Sequence, residues 1–355
     1  MKKIAALTLV FLFLLIMGCA EAEDTGTQSI EPGVTGIVEG APDAVEPEGI
    51  SISLTGDIMF DKSVGAVFKS KGGDYIFEGY GKYLKESDMV FGNLETALST
   101  IGQPMKDKEY TFRSSPQAAE ALKQYNYTAL SVANNHVLDF GPRAFIDTLK
   151  ALENNGVRYS GGGYNRHEAE EGVFIEKNGI KVGFVAFTRV VPSVDWYAGT
   201  RKPGIIGAYK VHEAVVLDTI KSLKSQCDIL VVSVHWGKEG SVTVRKEEVE
   251  IAHKMVDSGA DIITGHHPHV VQPIEMYKGK PIFYSLGNFI FTTSHSELCN
   301  KTMVATVKVD KEKKIESVKI VPGIIKLGRP FPMEDKQRKE FIEYLNRMNI
   351  NLKLE

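Results

Sequence analysis

Short apolar runs recur along this chain, and five of them end abruptly on side chains able to bind metal or move protons. Residues 52–56 alternate apolar and polar as a half-buried strand does, and they deliver Asp57. Residues 89–92 lead to Asn93 and Glu95; residues 129–133 lead to Asn134, Asn135, His136 and Asp139. Residues 229–234 lead to His235, and 261–264 to the turn Gly265, His266, His267, Pro268, His269. Parallel strands of an α/β sheet present their carboxyl ends on one edge, so the pattern predicts that these groups converge.

Between these runs, apolar spacings of three and four mark helices. Ser115 and Pro116 supply an N-cap and first-turn proline ahead of Ala118, Ala121, Leu122 and Tyr125. Pro142 opens a helix carrying Phe145, Leu149 and Leu152, stopped near Asn155 and Gly156. Residues 211–223 predict a third helix, and 247–256 a fourth that ends at Gly259 with His253 on its face. Antiparallel pairing is predicted across Asn178-Gly179, between 173–175 and 182–185, and across a charged turn between 303–309 and 315–321. Residues 282–286 read as a strand leading to Asn288, and Phe341, Tyr344, Leu345 and Met348 as a C-terminal amphipathic helix packed on the body. The pattern therefore predicts one large α/β domain over residues 50–325 and a helical extension over 326–355.

The N-terminus has a different character. Lys2 and Lys3 precede an apolar stretch from Ile4 to Met17, too short for a comfortable bilayer span and shaped like a secretory leader over 1–18. Gly18-Cys19 at its end matches a bacterial lipobox, which makes Cys19 the expected lipidation site and membrane anchor. Residues 19–49 hold eight acidic side chains and no Lys or Arg, so they read as an extended, self-repelling tether. Taking those eight acids and the two leading lysines from totals of 45 and 42 leaves the domain near neutral, about +3, although the chain is −3. A near-neutral body with no basic stripe excludes nucleic acid as a partner and does not repel an anionic polymer. Cys227 and Cys299, two thiols in a long chain, do not make a disulfide framework and are expected to be free.

Carboxylate, amide and imidazole without thiolate suit a divalent ion such as Mn, Fe, Zn or Mg. A carboxylate with histidines on both sides points to two such ions, able to polarise an oxygen and activate a water. His167, His212 and His295 lack ligand-type neighbours at useful spacing and are expected at the surface, as is His253 on its helix face.

Asp57 within Gly56–Asp61, Asn93-Leu94-Glu95, the run from Ala133 to Gly141, His235-Trp236-Gly237, the run from Gly265 to Gln272, and Ser285 to Phe289 together resemble the CapA family. That family is associated with poly-γ-glutamate capsule synthesis and is similar in fold to calcineurin-like metallophosphoesterases. The resemblance implies a four-layer α/β/β/α sandwich. It implies Asp57, Glu95, Asn135, His235, His266 and His269 as metal ligands, with His267 the alternative to His266. His136 then resembles the general acid, oriented by Asp139. The phosphoesterase pattern Asp-x-His stands here as Asp57-Ile58-Met59, and Glu95 replaces a bridging Asp. Arg113, Asn93 and Asn288 are expected to bind substrate or brace the site.

Two functions are then open. The first is a membrane-tethered, extracytoplasmic hydrolase or transferase acting on a phosphoester or polymer bond during surface-polymer assembly. The second is a non-catalytic component that anchors or exports poly-γ-glutamate beside membrane synthase or export subunits.

Overall fold

The computed structural model describes residues 49–354, and no helix among them is long and apolar enough to cross a membrane. Cys19, the leader and the tether up to residue 48 lie outside the described residues.

Two mixed sheets make up the body. The first is built on Ile50–Ile58, to which Met89–Leu94, Tyr127–Ser131 and Arg158–Ser160 add in parallel, one after another. On the other side Lys301–Val309, Ile315–Lys326 and Arg329–Pro332 follow as an antiparallel series. In the second sheet Ile180–Thr188, Ile229–His235, Ile262–His266 and Lys280–Phe283 run parallel. Val173–Lys177 and Ile274–Tyr277 close its edges antiparallel.

Alternation along the strands dictates the layers. Ile52, Leu54 and Phe91 of the first sheet meet Val182, Phe184 and Val231 of the second, and the rings of Phe91 and Phe184 stack at 4.7 Å. The opposite face of the first sheet is covered by the helices Lys62–Phe77, Ala118–Gln124 and Gly141–Asn154, which bury Phe77, Leu122, Phe145 and Leu149. The opposite face of the second is covered by Glu213–Lys224 and Lys246–Asp257, which bury Val216, Ile220, Ile251 and Met255. The order helix, sheet, sheet, helix is the α/β/β/α sandwich that the resemblance implied.

Three local features depart from the sequence pattern. Ser115 stands before the helix instead of capping it: Ala118–Gln124 starts after Gln117, whose N–H donates to Ser115 Oγ at 3.3 Å. The helix Lys62–Phe77, absent from the pattern, is capped by the Asp61 carboxylate on Lys62 N at 2.7 Å and is broken at Gly72, whose φ is 80°. Finally, Ile315–Lys326 runs across residue 325, where the pattern ended the domain. Beyond it Arg329–Pro332 continues the same sheet, and the helix Asp335–Met348 buries Phe341 and Leu345 in the core between the sheets. Ile350 N–H donates to the Ile274 carbonyl at 3.0 Å, stitching the last residues to the second sheet.

Candidate metal centre

The carboxyl ends of the parallel strands from both sheets face one another, and the register fixes which side chains meet. Asp57 pairs with Asn93 across the first sheet and with Asn288 on its other side; His235 pairs with His266 across the second. The end of Ile262–His266 is packed closely: a Cβ at Gly265 would lie 1.9 Å from the Tyr284 carbonyl oxygen, so only glycine fits. Past it, His267 and His269 sit at φ of 94° and 58°, a strained backbone that aims both rings back into the cluster.

Asn93 is the hub. Its Nδ2 donates to Asp57 Oδ1 at 2.9 Å and to Glu95 Oε2 at 3.2 Å, and lies 3.3 Å from His235 Nδ1. Asn134 Nδ2 holds Asn93 in turn, donating to its Oδ1 at 3.0 Å. His235 Nε2 is 2.8 Å from Asn135 Oδ1 and 3.6 Å from Glu95 Oε1. His269 places Nδ1 3.2 Å from Asp57 Oδ2 and 2.8 Å from Asn288 Oδ1, with Nε2 3.8 Å from Glu95 Oε1. Two sets of ligand atoms result, each spanning no more than 4.8 Å: Asp57, Glu95 and His235, and Glu95, His267 and His269. Glu95 belongs to both.

Of the paired alternatives His266 and His267, only His267 joins these sets. The expected ligand His266 turns Nε2 to the Thr55 carbonyl of the first sheet at 3.1 Å and Nδ1 to Ser233 Oγ of its own sheet at 3.3 Å, so both its nitrogens are already engaged. The strand register explains this: His266 is still a strand residue opposite His235, while His267 is past the turn.

The electrostatics follow from crowding buried carboxylates and imidazoles together. Burial raises Glu95, and the charge of Asp57 beside it raises it further, well above the usual carboxylate range. Burial would raise Asp57 too, but the hydrogen bond of His269 and the charges of His266 and His269 win and hold it at about 2. Burial, then neighbouring imidazoles, pushes His235 well below its ordinary value and His267 down to about 3. Neutral imidazoles are the ligand form. The buried atoms Glu95 Oε1 and His267 Nδ1 have no hydrogen-bond partner, and each belongs to a set that also holds neutral imidazole and carboxylate. A divalent cation fits that donor set.

Next to this cluster, His136 Nδ1 lies 2.7 Å from Asp139 Oδ2, and the Phe112 ring packs on the imidazole at 4.3 Å. Met59 offers no nitrogen; its sulfur accepts the Asp61 N–H at 3.0 Å. The structure does not bring Arg113 into the cluster. Its Nη1 donates to the carbonyls of Ile101 and Gly102 at 3.2 and 3.1 Å, and its guanidinium lies over Phe140. The cation that does reach the site is Lys108, whose Nζ donates to Asp139 Oδ1 and to the Asn135 carbonyl. Nothing in the sequence pattern marked it. Away from the site, His253 pairs with Glu275 at 2.9 Å and stacks on Tyr277, and Cys227 and Cys299 are free thiols.

Residues 51–293 match the family model described as "Bacterial capsule synthesis protein PGA_cap". The chain belongs to this family. The PGA_cap match contains every residue of the cluster, from Asp57 to Asn288. The PGA biosynthesis protein CapA of Bacillus subtilis (strain 168) is 36% identical over 244 residues, 68% of this chain. That alignment spans 63% of the relative, less than two thirds of its length. The capsule biosynthesis protein CapA of Bacillus anthracis is 33% identical over 303 residues, covering 82% of this chain and 72% of that protein. Among solved structures, the NAD nucleotidase of Haemophilus influenzae aligns with a TM-score of 0.46 and 13% identity, over 85% of this chain and 56% of that one.

Proposed function

We propose that this PGA_cap protein is a lipid-anchored, extracytoplasmic hydrolase that cleaves a phosphoester or polymer bond in poly-γ-glutamate capsule or surface-polymer assembly, using one or two divalent ions. The observation that carries the reading is Glu95: a fully buried carboxylate shared by two ligand sets, with Oε1 unpartnered. Asp57, Asn135 and His235 flank it on one side, His267 and His269 on the other. Divalent ions held there would polarise the oxygen of the scissile bond and lower the pKa of a bound water. The rest is done by the chain. Asn93 and Asn134 orient the carboxylates. Asp139 accepts from His136 Nδ1–H, which leaves Nε2 to take a proton from the attacking water and, as the imidazolium held by Asp139, return it to the leaving oxygen. Phe112 and Phe291, 5.8 Å apart and packed on His136 and His269, keep bulk water from the two imidazoles. Lipidated Cys19 and the acidic tether would hold the domain outside the cytoplasm, at the membrane.

A second reading has one specific observation in its favour. Met59, where the phosphoesterase pattern carries a histidine, spends its sulfur on the local backbone and adds no imidazole to the Asp57, Glu95 and His235 set, which then holds one histidine. In that reading the cation is structural and the domain anchors or exports the polymer beside membrane synthase or export subunits.

Metal analysis of the purified protein, together with phosphodiester and poly-γ-glutamate hydrolysis assays, tests the proposal. The hydrolase reading expects bound divalent metal that is lost in His235→Ala, and turnover that is lost in both His235→Ala and His136→Ala. Turnover unchanged in both variants refutes it. Metal bound without turnover on either substrate favours the second reading.

A further inference from the structure

Residues 99–112 form an irregular strap between two short parallel strands, Ala97–Leu98 and Arg113–Ser114. Its exposed tip carries Lys106, Asp107, Glu109 and Tyr110, yet the strap grips one residue, Asp139, at three points. Met105 N–H donates to the Asp139 carbonyl at 2.7 Å, and Phe112 N–H to Asp139 Oδ2 at 2.8 Å. Lys108 Nζ donates to Asp139 Oδ1. The same ammonium donates to the Asn135 carbonyl, lies 3.1 Å from His136 Nδ1, and sits 5.3 Å from the centre of the Trp196 ring.

Those contacts are more than the strap needs to stay in place. Met105 already packs against the helix-side core, and Arg113 already ties the carbonyls of Ile101 and Gly102. Lys108 is mostly buried, with 15% of its side chain exposed, and it faces a carboxylate with no exposure at all. A buried carboxylate needs its charge paired and its lone pairs met. With Oδ1 occupied by Lys108, Asp139 can turn only Oδ2 toward the imidazole. Oδ2, an acceptor at 2.7 Å, favours the hydrogen on His136 Nδ1 over the longer 3.1 Å approach of the donor Lys108 Nζ to the same nitrogen.

We propose that Lys108 is a positioning residue of the proton-transfer pair. By holding both Asp139 and the Asn135 carbonyl, it fixes the tautomer and ring plane of His136 and sets the distance from His136 to the amide of Asn135. The catalytic part of this inference rests on the hydrolase reading; the structural part does not. Lys108 touches Asp139, the Asn135 carbonyl and His136 Nδ1 but no side chain of the two ligand sets, so it acts on turnover and leaves metal loading alone.

The test compares Lys108→Met and Lys108→Arg in the full chain. Its primary readout, nitrogen NMR of the His136 ring, needs no substrate. Wild type is expected to show the Nδ1–H tautomer, Lys108→Met a mixture of both, and Lys108→Arg the wild-type pattern restored. On any hydrolysed substrate, Lys108→Met should lower kcat by about 10–100-fold with KM within about twofold, the size of effect seen when the partner of a catalytic or ligating group is removed. Bound metal should stay at the wild-type level. A wild-type tautomer in Lys108→Met overturns the inference, whatever the turnover. If wild-type protein hydrolyses nothing, the hydrolase reading fails by itself, while the tautomer comparison still decides the role of Lys108.

Discussion

Replacing Glu95 by Gln should make the metal-free protein no less stable and at the same time abolish its response to metal. Glu95 has no solvent exposure, its Oε1 is unpartnered, and Asp57 crowds it; leaving one such acceptor bare costs about 1–3 kcal/mol. Its raised pKa adds a pH signature. The folded chain holds the proton that the unfolded chain releases above about 4.5, so this contribution to stability is full below that pH and is lost as pH rises. Gln has no such proton. The metal-free Glu95→Gln protein should therefore equal or exceed wild type in Tm, by a margin that widens from pH 5 to pH 8. A divalent ion at 100 times its Kd stabilises wild type by about 2.7 kcal/mol, which for a domain of this size is roughly 4 °C. Glu95→Gln, with the ligand common to both sets neutralised, should show little of that rise. Thermal unfolding followed by circular dichroism, with chelator and then with Mn or Zn, measures both quantities. A full metal-induced shift in Glu95→Gln, or a metal-free Tm several degrees below wild type, would refute the shared-carboxylate reasoning.

Other outcomes follow from the same geometry. His267→Ala should lose part of the bound metal, whereas His266→Ala should keep its stoichiometry and lose stability, since His266 holds the Thr55 carbonyl; equal metal content in wild type and His267→Ala would contradict the assignment. Because the folded-state pKa of His267 is depressed from 6.5 to about 3, its contribution to metal-free stability is complete above pH 6.5 and falls away below it. The loss should reach about 2 kcal/mol at pH 5, visible as a lower denaturant midpoint. Phe91→Ala, which empties the stack between the sheets, should cost about 3–5 kcal/mol in urea unfolding, and a cost under 1 kcal/mol would argue against that core. Cys19→Ser should move the protein from the membrane fraction to the soluble one, and unchanged fractionation would remove lipidation as its anchor.

Asp57, Glu95, Asn135 and His235 could be placed from sequence because each follows an apolar strand, and strand ends in parallel sheets share an edge. That logic stops at the edge itself. Whether His266 or His267 faces the cluster depends on where the strand ends and the positive-φ turn begins, a difference of one residue that hydrophobicity does not encode. Lys108 was illegible for another reason: it lies in an irregular strap, 31 residues from the carboxylate it holds, and no periodicity marks such a contact. Arg113 was the more conspicuous cation and proved to brace carbonyls of the same strap. The helix Lys62–Phe77 was missed because Gly72 interrupts it and few of its residues are buried.

The pairing of Ile50–Ile58 with Lys301–Val309 sets a temporal order on assembly. Met89–Leu94 can cover one edge of the first strand early, but the other edge, where Ile50 lies opposite Val309, waits for a partner about 250 residues later in the chain. Contacts of such long sequence separation form slowly. The cluster around Asp57 is completed late for the same reason, since His269 and Asn288 reach it from more than 200 residues further along the chain.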